Sequence, residues 1–141
     1  MSTENVATVR SVYENFGKGD IPAVLGMLSP DIEWTEGSQT FLPHRGVHRG
    51  PSAVAERVFG QVVANFDDFA VVPERFHDAG DIVVVEGRTV GTSKRGGVLD
   101  APTCWVWTVR EGRITANHNY HDTDAWRMAL VGEPMAVEPA R

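Results

Sequence analysis

The chain has 141 residues, 42% hydrophobic and 23% charged, which suits one domain with a sizeable core and leaves little room for a second. A formal net charge of −6, with no basic run longer than Lys94-Arg95, argues against nucleic-acid or anionic-membrane partners, both of which need a basic face. The start is polar, no apolar run reaches membrane-spanning length and the single cysteine forbids an intrachain disulfide, so a cytoplasmic protein is expected.

In chain order, the first element reads as a helix. Val6, Val9, Val12, Tyr13 and Phe16 recur at helical spacing, Thr3 can cap the start, and Gly17-Lys18-Gly19 stops it. Asp20 caps a shorter helix with Pro22 in its first turn and Ile21, Val24, Leu25 and Leu28 on one face, ended by Ser29-Pro30. A short strand over residues 32–35 and a loop over 37–50 follow. Pro51 opens a third helix, striped by Val54, Val58, Phe59, Val62 and Phe66. Strands are then expected over residues 69–76, 82–92, 98–109 and 114–122, joined by turn-like linkers, with a last helical turn over 124–130. One domain over 1–131 and a flexible tail over 132–141 complete the reading.

Helices followed by a meander of hairpins give an α+β fold with an antiparallel sheet. Gly87 and Gly91 interrupt the strand over 82–92, and interior glycines mark a bulge or a bend. A sheet that curls around a helix encloses a pocket. The last strand points to the same place. Asn117, His118, Asn119, Tyr120, His121 and Asp122 are consecutive, so both strand faces turn polar and one is expected to line a cavity.

Several motifs carry a resemblance. Gly19-Asp20 lies between the helices, Asp31-Ile32-Glu33-Trp34 on the first strand, and Arg49-Gly50-Pro51 at the start of helix three. Ala79-Gly80-Asp81, the run from Val106 to Ile114, and Tyr120-His121-Asp122-Thr123 follow in order. Together they resemble the SnoaL-like branch of the nuclear transport factor two-like superfamily, whose relatives include ketosteroid isomerase, polyketide cyclases and limonene epoxide hydrolase. The resemblance implies a cone-shaped roll: a curved antiparallel sheet wrapped on three N-terminal helices around a deep, mostly apolar pocket, in a homodimer.

By position, the ketosteroid isomerase base corresponds to Glu36, its oxyanion tyrosine to Val12 beside Tyr13, and its protonated aspartic acid to Cys104. The acid/base aspartate of SnoaL-type cyclases corresponds to Asn119. Neither family constellation is complete here, and the Asp-Arg-Asp relay of the epoxide hydrolase is not evident.

The candidate catalytic residues are Glu36, His121, Asn119 and Asp122. Glu36 is expected at the pocket mouth, where apolar walls would raise its pKa and suit it as a base; the alternative is a solvated loop carboxylate. His121 can act as acid or base, since free histidine titrates near ~6.5. Asn119 can polarise a carbonyl or orient a water. Asp122 either turns inward to the pocket or caps the turn that follows.

Tyr13, Phe16, Trp34, Phe59, Cys104, Val106 and Asn117 are expected to contact substrate. With Cys104 facing into the cone as a buried, inert thiol, Trp105 and Trp107 face outward into a dimer interface. No metal site and no cofactor are expected, because His118 and His121 point to opposite faces and His44 and His48 lie in a loop, whereas zinc needs three or four convergent ligands. The leading function is cofactor-independent acid/base chemistry on a small apolar or partly polar metabolite. The alternatives are a non-catalytic binder of hydrophobic ligands and a dimeric association module.

Overall fold

A computed structural model describes residues 2–132. Beyond Gly132, the tail read from the sequence lies outside the described residues. Helix α1 (Ser2–Gly17) buries Val9, Val12 and Tyr13. Gly19 then takes a left-handed φ of 72°, and the Asp20 carboxylate caps α2 (Ile21–Met27) by accepting the Ala23 amide at 3.1 Å. Leu28, read as the last residue of that helix, is instead extended and opens β1 (Leu28–Thr35). The cause is local: Pro30 bars helical geometry at Ser29. The strand tolerates Pro30 because its pairing is interrupted between Leu28 and Glu33.

The loop read over 37–50 hides a three-residue strand, β2 (Val47–Arg49), which pairs antiparallel with β1 through Glu33↔Arg49 and Trp34↔His48. The third helix forms as a continuous rod: α3 (Pro51–Val54), a π-helical turn (Ala55–Phe59) and α4 (Gly60–Asn65). Phe66, read as part of its stripe, already belongs to β3 (Phe66–Ala79). Then come β4 (Ile82–Ser93), β5 (Val98–Arg110), β6 (Arg113–His121) and α5 (Thr123–Val131).

The six strands form one curved, unclosed sheet in the order β2-β1-β6-β5-β4-β3. The fold is α+β, as expected, but the sheet is not wholly antiparallel: β1 and β6 run parallel. These two strands are far apart in sequence, so no hairpin dictates their relative direction. The main core lies between helices and sheet, where Val9, Val12, Val24 and Val54 meet Ile32, Trp34, Val85 and Trp107. A second cluster of Leu42, Phe66, Leu99 and Trp126 packs beneath α5. No helix among the described residues is long and apolar enough to cross a membrane.

The curvature is written into β4. Its buried face carries Val83, Val85, Thr89 and Ser93, with Gly87 and Gly91 between them. A Cβ at Gly87 would collide with the Val72 backbone carbonyl, and one at Gly91 would lie 2.5 Å from the Asp68 carbonyl. Close to both glycines the β3 pairing shifts, between Phe66 and Asp68 and between Pro73 and Arg75, so the strands bend where no side chain stands in the way. Gly87→Ala should therefore lower stability by roughly 1–3 kcal/mol, the usual cost of overpacking. Gly26, inside α2 with open space around it, is the contrast. Gly26→Ala should raise stability by about 0.5–1 kcal/mol through backbone entropy. Urea unfolding of the two variants checks both signs.

Candidate functional site

Between the helices and the concave side of the sheet lies a cavity of about 330 Å³. Tyr13 and Phe16 from α1, Val58 and Phe59 from the π turn, and Trp34, Trp105 and Trp107 from the sheet supply most of its apolar wall. The rings meet edge to face: Trp34 with Phe59 at 5.5 Å and with Trp107 at 5.6 Å between centroids. Four of its polar side chains gather in one cluster: Glu36, His44, Asn119 and His121.

Glu36 follows β1 in the same alternation as Ile32 and Trp34, so it points inward. Its amide donates to the Gly46 carbonyl at 2.9 Å, which carries the β1–β2 ladder one step further and holds the residue in place. The carboxylate is 5% exposed, not at a solvated mouth. Oε2 accepts the Trp34 indole N–H and the Asn119 amide N–H, each at 2.7 Å. Oε1 lies 3.0 Å from His121 Nε2 and 3.7 Å from His44 Nε2. Burial pulls the Glu36 pKa up, but the His121 hydrogen bond, the two histidine charges and the Trp34 hydrogen bond together outweigh it. The net shift is below the ordinary carboxylate value. That reverses the raised value expected from the sequence. An ionised carboxylate only accepts, so His121 donates to it from Nε2, while its Nδ1 has no hydrogen-bond partner among the described residues.

His44 was not singled out as a site residue, and nothing in its loop marks it. Tight turns bring it in: the Leu42 amide bonds to the Gln39 carbonyl, the Arg45 amide to the Leu42 carbonyl, and Gly46 adopts φ 93°. The ring packs 4.9 Å from Trp126 and is pushed below its ordinary pKa, first by burial. Trp126, from α5, lines the cavity beside it.

Asn117, Asn119 and His121 share the inner face of β6, as alternation predicts. Asn119 and His121 reach the cavity; Asn117, expected to contact substrate, is instead buried beneath it, opposite Trp34 and Trp107, with both amide atoms unpartnered among the described residues. Tyr13, Phe16, Trp34 and Phe59 line the cavity as expected. Tyr13 accepts the Trp107 indole N–H at 2.9 Å, and burial lifts its phenol well above the ordinary value, so it stays protonated.

Four expectations are corrected. Cys104 and Val106 lie on the outer face of β5, outside the cavity, and Cys104 is only partly buried. Trp105 and Trp107 face inward with 4% and 1% exposure, so neither is available to a dimer interface. Asp122 does not turn into the cavity: it is exposed and caps α5, accepting the Ala125 amide at 3.3 Å. The absence of a convergent ligand set also fails, since donor atoms of Glu36, His44 and His121 all lie within 4.8 Å of one another.

The sequence profile of the SnoaL-like domain matches residues 9–117. The chain belongs to the SnoaL-like domain family. No curated protein matches it in sequence. Among solved structures, an NTF2-like protein of unknown function from Burkholderia pseudomallei is 26% identical, covering 90% of this chain and 97% of its own, with a TM-score of 0.83. TerC, co-crystallised with polyporic acid, is also 26% identical, covering 91% and 98%, with a TM-score of 0.84. A Catenulispora acidiphila protein of ketosteroid isomerase-like fold, in complex with trimethylamine, is 16% identical over 94% and 97%, with a TM-score of 0.77. At that identity the likeness is one of fold. SnoaL-like and ketosteroid isomerase-like architecture is thus the scaffold on which the Glu36 cluster sits.

Proposed function

We propose that this SnoaL-like protein is an enzyme that moves a proton beside a carbonyl group of a small, largely apolar metabolite. His121 is the proton carrier and Glu36 its charged anchor. The observation that supports this best is a buried, ionised carboxylate hydrogen-bonded to a histidine, both on the wall of an apolar cavity. The Glu36 charge faces the positive charge that develops on the ring as it takes a proton. Asn119, which gives one amide N–H to Glu36, is proposed as an orienting residue rather than a donor to substrate. Tyr13 accepts from Trp107 and keeps its own proton to donate to a developing oxyanion. Isomerisation, aldol-type cyclisation and dehydration all begin with such a transfer, and epoxide hydrolysis is the variant in which water is the group deprotonated. The polyporic acid bound by TerC is consistent with a scaffold that admits small organic molecules. The enzyme is further proposed to be cytoplasmic and homodimeric, joined through the outer face of the sheet.

The test is deuterium exchange. Apolar cyclic ketones and 1,3-diketones incubated with the protein in D2O should exchange their α-protons faster than the uncatalysed background, followed by proton NMR. His121→Ala should remove the excess rate. Ligands that quench tryptophan fluorescence but never exchange would instead identify a binding protein.

A further inference from the structure

We propose that Glu36, His44 and His121 form a site for one divalent transition-metal ion, with zinc the best match. The observation that prompts this is His44. It is 2% exposed, yet among the described residues neither ring nitrogen finds a hydrogen bond: Nδ1 has no partner, and Nε2 stands 3.7 Å from Glu36 Oε1, beyond hydrogen-bond range. A buried polar ring held facing a carboxylate without bonding to it leaves the contact incomplete.

The three donor atoms lie within 4.8 Å of one another, and the two spacings from Glu36 suit a metal. Zinc bonds nitrogen at about 2.0–2.1 Å and carboxylate oxygen at about 2.0–2.2 Å, so donor atoms at the corners of a tetrahedron lie about 3.3 Å apart. The Oε1 distances to His121 and His44, 3.0 and 3.7 Å, bracket that edge. Two histidines and one glutamate are also a donor set used by catalytic zinc. The surroundings support it. Glu36 Oε2 is held by Trp34 and Asn119 at 2.7 Å each, which fixes Oε1 as the ligating atom. Among the described residues, no lysine or arginine lines the cavity to repel a cation. All three donor residues line the cavity, so the fourth coordination position opens on it and would take an anionic oxygen such as hydroxide, an enolate or a hydroxamate.

Metal and proton compete for the same residues, since a metal-bound His121 Nε2 no longer donates to Glu36. The test is titration of chelator-stripped protein with Co²⁺ at pH 7.5. One ion should bind per chain, with the visible absorption of four-coordinate cobalt, and Zn²⁺ should displace it. His44→Ala should weaken binding by about 100-fold or more, and Asn119→Leu by roughly 10–100-fold. His77→Ala and His118→Ala, at exposed positions, should leave it unchanged. Near-ultraviolet circular dichroism verifies that each variant is folded. Failure of the wild type to bind one ion at micromolar concentration overturns the proposal, as does full-strength binding by folded His44→Ala. Proton exchange by stripped protein that binds no zinc would remove the metal site and leave the proton-transfer reading standing.

Discussion

Glu36→Gln should lower the rate of the proposed proton transfer by roughly 10²–10⁴-fold, the usual worth of general acid/base catalysis. Ligand affinity changes much less, because apolar walls supply most of it. The substitution keeps shape and removes charge, but its larger effect is on His121. If the glutamine oxygen accepts the Trp34 and Asn119 N–H groups, its NH₂ meets His121 Nε2. Two donors cannot face each other, so the imidazole proton moves to Nδ1 and the free lone pair needed there is lost. Steady-state kinetics with any substrate found by exchange, together with the ligand dissociation constant, separates the two effects. A rate left intact would show that the pair is structural.

Acidification should unfold this protein earlier than an equivalent domain lacking the buried cluster. Glu36 has a folded pKa below its ordinary value, so the stability it contributes is present above the unfolded value, about 4.3, and is lost as pH falls through the folded one. His44 is also shifted down, because burial opposes its charge. The unfolded chain then takes up a proton near pH ~6.5 that the folded chain resists, so stability begins to fall below that pH. The two effects act in the same direction and in sequence, His44 first. Protonating Glu36 then removes the carboxylate charge that the His121 and Trp34 hydrogen bonds hold, so stability falls further. Urea midpoints measured from pH 7.5 to 4 in chelator-treated buffer should fall steadily, and His44→Gln should flatten the first part of that fall. A flat profile down to pH 5 in the wild type would contradict the His44 assignment.

Local signals carried much of the secondary structure. Asp20 caps α2, Pro51 opens the rod, and Gly87 and Gly91 mark the bend in β4, each through a preference of that residue's own backbone or side chain. The common face of Asn117, Asn119 and His121 was legible because strand side chains alternate. What failed was the face of β5, and a single residue accounts for it. Val109 pairs with Ile114 beyond the turn; unbroken pairing from there would set Cys104 opposite Asn119 and point both inward. Instead the register shifts between Thr108 and Val109, leaving Thr115 as an extra residue, and Trp105 comes to face Asn119. A one-residue slip exchanges the two faces of a strand, so Cys104 and Val106 went out while Trp105 and Trp107 came in.

Composition, helix signals and strand alternation therefore determined the α+β class, the order of elements and a polar inner face on the last strand. Tertiary structure alone decided that Glu36, His44 and His121 meet. They come from the end of β1, a loop without periodicity and the end of β6, with Glu36 and His121 separated by 85 positions. Their approach depends on the parallel β1–β6 pairing and the β1–β2 ladder, contacts between segments that no local residue preference encodes.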